Sequence, residues 1–112
     1  MKMIEAIIRP ERLPMVRMAL EEKGFISMTI SDVIGRGRQK GLALKWRSGE
    51  HRIEFLAKKK ITMLVDDTDC DIIVDTICER AKTDAMGDGK IFILPVEDAV
   101  RIRTGDRGRS AL

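Results

Sequence analysis

The feature that most constrains this chain is an amphipathic repeat late in the sequence, framed on both sides by short apolar runs. Cys70, Ile73, Val74, Ile77 and Ala81 recur at i, i+3, i+4, i+7 and i+11, which predicts a helix over 69–81 with one apolar face. Asp66, Asp67 and Thr68 precede it with side-chain oxygens suited to capping. The flanking runs are too short and too alternating for helices. Ile61, Met63 and Val65 share one face of a strand over 60–65, and IFILPV forms another over 91–96.

The first half repeats this order. Met3, Ile4, Ala6, Ile7 and Ile8 predict a strand over 3–8, ended by Arg9-Pro10, because the residue before Pro avoids the helical region. Leu13, Val16, Ala19 and Leu20 predict a helix over 11–23, with Pro14 tolerated in its first turn and Gly24 as its stop. Phe25, Ile26, Met28, Ile30, Val33 and Ile34 predict a second strand over 25–34. The order β-α-β-β-α-β is that of a ferredoxin-like α+β fold, an antiparallel sheet with both helices on one face. The other face needs a cover that 112 residues do not supply, so self-association is expected.

What lies between the elements is polar. Gly35-Arg-Gly-Arg-Gln-Lys-Gly41 breaks the second strand, and LALKWRSGEHRIE follows over 42–54. From Arg36 to Arg52 six cations face Glu50 alone. This reads as a long basic exposed loop, either a hairpin or an excursion, and loops of this length are usually functional or disordered. KTDAMGDGK forms a second Gly-containing loop over 82–90. Ala99–Ile102 reads as a short extended piece before a polar tail, RTGDRGRSAL, with nothing in the sequence to hold it.

Several function classes fall away. Net charge is only +3 and aromatic residues make up 4% of the chain, too few for the stacking platforms of a nucleic-acid-binding sheet. MKMIEAIIRP is interrupted by Glu5 and Arg9, which does not suit a signal peptide. Cys70 and Cys78 sit about 12 Å apart along a helix axis, too far for a disulfide, as suits a reducing cytoplasm. His51 stands in the basic loop with no evident partner, and no Cys/His cluster has metal-ligand spacing. Glu21-Glu22 and Asp66-Asp67 read as helix surface and helix cap. A binding protein fits better than an enzyme.

Four constellations could hold an anion, and each could instead be an ordinary turn or solvated surface. Gly35, Gly37 and Gly41 with Arg38 and Lys40 could turn backbone N–H groups and charge toward a phosphate. Gly87-Asp88-Gly89-Lys90 offers the same just before a strand. Arg101 and Arg103, two apart in an extended segment, would point the same way with two guanidinium forks. Lys58-Lys59-Lys60 leads into the third strand.

These blocks together resemble the PII nitrogen-regulatory signal transduction proteins. The likeness rests on MKMIEAIIRP, Ser27-Met28-Thr29, the Gly35–Gly41 block, Phe55-Leu56-Ala57-Lys58, Gly87-Asp88-Gly89-Lys90-Ile91-Phe92 and Arg101-Ile102-Arg103-Thr104-Gly105, and it spans the chain as a single domain over 1–112. It implies a homotrimer binding ATP or ADP in clefts between subunits. It also implies a T-loop at about 37–54, a B-loop at about 82–90 and a C-terminal loop at about 102–112. The nucleotide would meet Gly35, Gly37, Arg38 and Gln39, with Thr29 near the base. Gly87, Asp88, Gly89 and Lys90 would cradle phosphates, and Arg101 and Arg103 would reach across from a neighbouring subunit. Mg would be held by Gln39 with the ATP phosphates. The effector 2-oxoglutarate would meet Gln39, Lys40, Gly41, Lys58 and Gly87. The T-loop would dock on an ammonium transporter through Arg47, the chain's only association with a membrane, or on a soluble enzyme such as glutamine synthetase or nitrogenase. His51 stands where many members carry a modified Tyr, Gly49 where others carry a modified Ser, Asp84 where Gly is common, and Trp46 in place of a usual Tyr.

Overall fold

The computed structural model describes residues 1–36 and 55–112. Four strands form one antiparallel sheet: β1 (Lys2–Ile8), β2 (Thr29–Gly35), β3 (Leu56–Val65) and β4 (Gly89–Pro95), in the order β2-β3-β1-β4. Helix α1 (Leu13–Glu22) joins β1 to β2, and α2 (Asp67–Ala81) joins β3 to β4. This is the ferredoxin-like α+β arrangement expected from the order of periodicities.

The helices start and stop where local chemistry dictates. Arg9 is extended (φ −62°, ψ 138°), as a residue before Pro must be, and Pro10–Arg12 make a single 3-10 turn ahead of α1. Pro14 lies in the first turn of α1. At the far end Gly24 adopts φ +89°. Its N–H donates to Glu21 O (2.9 Å) and the Phe25 N–H to Leu20 O (2.9 Å). That is a Schellman closure, and Phe25 packs on the core as its apolar partner. The closure corrects the expected strand over 25–34. Phe25–Met28 belong to the connection, and β2 begins only at Thr29. In α2 the Asp66 carboxylate accepts from the Thr68 N–H (3.2 Å), and Asp67 and Asp69 favour the positive end of the helix dipole.

Alternation along the strands sorts the sheet into two faces. Ile4, Ala6 and Ile8 of β1 and Ile61, Met63 and Val65 of β3 are buried beneath the helices, against Val16, Leu20, Cys70, Ile73 and Ile77. The register puts Met3, Leu64 and Leu94 side by side on the opposite face, then Glu5, Thr62 and Phe92, then Ile7, Lys60 and Lys90. That face runs from apolar at the Met3 end to cationic at the Lys90 end. Phe92 and Leu94 remain 46% and 41% exposed on it, the uncovered surface expected for a chain of this size.

Three further segments differ from expectation. β3 starts at Leu56, so Lys58–Lys60 lie within the strand, where Lys59 pairs with Asp32 across to β2. β4 starts at Gly89. The tail is closed upon itself: Val100 bridges Arg107, the Arg101 N–H donates to Asp106 O (2.9 Å), and Gly108–Ala111 form a short 3-10 turn.

Candidate functional site

An open groove of about 880 Å³ lies where β1, β2, β3 and β4 end together. Its apolar wall is Ile7, Leu56, Met86 and Phe92; its polar wall is Gly35, Arg36, Lys58, Gly87, Gly89 and Lys90. Among the described residues three cations and no carboxylate line it. An anion with an apolar portion is the chemistry such a wall accommodates.

The strands bring these residues together by register. Ile8 pairs with Gly89 and Ile7 with Lys90, and Gly35 pairs with Leu56 at the end of the β2–β3 ladder. Gly89 has no substitute. At φ +103° a Cβ there would sit 1.7 Å from the Ile7 carbonyl oxygen, so only the bare backbone lets β4 join β1 at this corner.

The loop before β4 is held from beneath. Arg9, at the end of β1, donates through Nη2 to Met86 O (2.6 Å) and through Nε to the Asp88 carboxylate (3.0 Å). The other Asp88 oxygen accepts from the Thr83 N–H (2.8 Å), and the Thr83 hydroxyl also donates to Asp88. Lys58 Nζ donates to the Gly87 carbonyl. The Thr83 hydroxyl, the Thr83 N–H and then Arg9 hold the Asp88 carboxyl well below the usual carboxylate range. Burial, and then the charge of Arg9, lower the Lys58 ammonium below its ordinary value. An anion beside Lys58 would offset both.

Of the residues expected to bind nucleotide or effector, the groove gathers Gly35, Lys58, Gly87, Gly89 and Lys90. Asp88 belongs to the same loop, but its carboxylate is spent on Thr83 and Arg9. Thr29 is at the other end of β2, about 20 Å along the strand from Gly35. Arg101 and Arg103 follow β4, beyond the end where Val96 N–H donates to Met1 O (3.2 Å). The extended backbone on which their same-side orientation was expected is replaced by a turn. The Gly105 N–H closes on Arg101 O (2.7 Å), making a turn of 101–105 where an extended segment was expected. Arg101 Nη2 donates to Leu112 O (2.8 Å). Gly37, Arg38, Gln39, Lys40, Gly41 and Arg47 lie outside the described residues.

Sequence reasoning missed Arg9, Arg36 and the apolar wall. The signal for Arg9 was its place as the first residue after β1, one step from a Pro that fixes the chain's exit. No reading of the residues pointed to Met86 or Leu56 as groove residues: Met86 lay in the expected 82–90 loop, and Leu56 fell before the expected strand.

Among the described residues no group of three or more His, Cys, Asp or Glu could hold a metal ion. A Mg ion carried by nucleotide phosphates needs few protein donors, and the side-chain amide oxygen of Gln39 has the hard-oxygen chemistry it takes.

The family model for nitrogen regulatory protein P-II matches residues 1–106. The chain belongs to the P-II family. A nitrogen regulatory protein P-II of Nostoc punctiforme is 49% identical over 112 residues, covering both chains completely. Its counterpart in Synechocystis is 48% identical over the same span. Nitrogen regulatory protein P-II 2 of Methanothermobacter thermautotrophicus is 50% identical over 112 residues, all of this chain and 97% of the relative. Membership makes the chain a nitrogen regulator by family. Among the described residues no helix is long and apolar enough to cross a membrane.

Proposed function

We propose that this P-II chain works as a cytoplasmic homotrimer that binds ATP or ADP, with 2-oxoglutarate as effector, in clefts between neighbouring copies. Occupancy of those clefts governs its affinity for a partner, an ammonium transporter in the first instance. One observation carries the reading. The groove assembles glycine backbone, Lys58 and Lys90 at one end of the sheet, while Arg101 and Arg103 stand beyond the other end, out of reach of it within one chain. A second copy can supply them. Lys58 serves the effector on this reading: its charge is disfavoured where it stands, and a dicarboxylate would restore it. When bound, Mg would neutralise phosphate charge, with Gln39 as its protein donor. The output belongs to the 37–54 segment and Arg47, which lie outside the described residues.

Calorimetry with ATP and with ADP at millimolar concentration tests the binding step. Heats that saturate with about one site per chain support it, and an absence of binding to either nucleotide rejects it. Pull-down from membrane extract tests the output. A transporter captured with ADP and released by ATP plus 2-oxoglutarate is the expected result, whereas capture of a soluble enzyme alone would move the target to nitrogen-assimilation enzymes.

A further inference from the structure

The guanidinium of Arg9 straddles Gly87. It bonds the carbonyl of the residue before (Met86 O, 2.6 Å) and the carboxylate of the residue after (Asp88 Oδ1, 3.0 Å). Arg9 does not itself line the groove. A trans peptide carries its C=O and N–H on opposite sides. Drawing Met86 O toward Arg9 therefore turns the Gly87 N–H away from Arg9, toward the groove that Gly87 lines. Lys58, on the groove wall, takes the next carbonyl, Gly87 O, and so anchors the peptide that follows. Gly87 itself sits at φ +94°, a conformation that leaves the loop dependent on outside anchors.

We infer that Arg9 is a positioning residue for anion recognition, aiming the Gly87 backbone N–H at a phosphate it never touches. This rests on the nucleotide reading above for the identity of the ligand, and on the geometry of residues 9, 86 and 88 for the mechanism. Arg is needed because one planar fork must serve two acceptors in different directions. The single ammonium of Lys keeps the charge but cannot hold both.

The test uses the full-length chain and its Arg9→Met, Arg9→Lys and Asp88→Asn variants, titrated with ATP, adenosine and inorganic tripolyphosphate, together with amide exchange over residues 83–89. Arg9→Met is expected to weaken ATP and tripolyphosphate about tenfold or more and to leave adenosine within about twofold. Arg9→Lys is not expected to restore the loss, Asp88→Asn should show a smaller loss of the same pattern, and exchange at 83–89 should quicken without ligand. Full rescue by Arg9→Lys would reduce the residue to a diffuse positive charge. Equal weakening of ATP and adenosine, or unchanged exchange, would also overturn the inference. Should Arg9→Met fail to fold, Arg9→Lys and Asp88→Asn carry the same comparison. If the unaltered chain binds tripolyphosphate but no nucleotide, the nucleotide reading falls and the role of Arg9 is still decided by the tripolyphosphate arm and the exchange rates.

Discussion

Two turns carry the expected anion contacts of this P-II chain, and they are built in opposite ways. The 83–88 loop is pinned by cations: Arg9 and Lys58 take two of its carbonyls, and Arg9 also takes the Asp88 carboxylate. The 99–108 turn is pinned by a carboxylate: Asp98 accepts from the Ala99 and Gly108 N–H groups (2.9 and 3.0 Å) and from Arg107. The first is woven into the sheet and open to a groove. The second stands off the sheet's other end, with Ile102 fully exposed at its tip between Arg101 and Arg103. One opens on a groove walled by Arg36, Lys58 and Lys90, and the other carries two guanidinium groups with no groove beside them among the described residues. On the proposed reading each turn supplies half of a site, and a second copy brings the halves together.

The largest effect should come from the glycines that close each turn. In Gly89→Ala the new methyl meets backbone on β1, and β4 must leave the sheet corner. A loss of more than about 3 kcal/mol in denaturant unfolding is expected. Gly105 is also left-handed, at φ +75°, but faces open space. Gly105→Ala should cost only about 1–2 kcal/mol, confined to the turn. Equal costs would erase the contrast between a woven loop and a free-standing one.

Next comes Asp98→Ala. It removes the acceptor that closes the distal turn, worth about 1 kcal/mol locally. Amide exchange should rise over 99–108 and stay unchanged over 83–89. Exchange rising in both segments would mean that the two turns are not independent.

Acid separates them as well. The folded Asp88 carboxyl titrates below its unfolded value, so its ionised form adds stability above about pH 4. That contribution fades as pH falls from about 4 toward the folded value. Amide shifts of 83–89 should therefore move in this range, and Asp88→Asn should flatten the response. Persistence of the same acid transition in Asp88→Asn would assign it to another carboxylate.

The smallest effect concerns Asp84, which holds φ +64°. Asp84→Gly relieves that conformation but frees the unfolded chain, so the net change should stay within about 0.5 kcal/mol.

The same contrast explains what was readable beforehand. Strand and helix order follow from periodicity because burial acts on every second or every third to fourth residue, as at Ile61, Met63 and Val65 or Ile73 and Ile77. Gly87, Gly89, Lys58 and Lys90 could be picked out as candidates because glycines and cations cluster beside the expected strands, although an ordinary turn or a solvated run fits the same pattern. Phe25 misled because its apolar character serves a Schellman closure as readily as a strand. Arg101 and Arg103 look alike in an extended or a turned segment, and the turn depends on Asp106 and Asp98, several residues away. Arg9 was hidden because its partners lie 77 and 79 residues on, a distance that no local pattern spans.

The central claim is that each ligand site is shared by two copies, and subunit mixing tests it most directly. Lys90→Ala damages the groove and Arg103→Ala damages the turn, so each variant alone should lose ATP binding. Unfolded and reassembled together, they should recover roughly one site in four, the chance that random assembly sets an intact groove beside an intact turn. Binding in the mixture no better than the mean of the two variants would contradict the account.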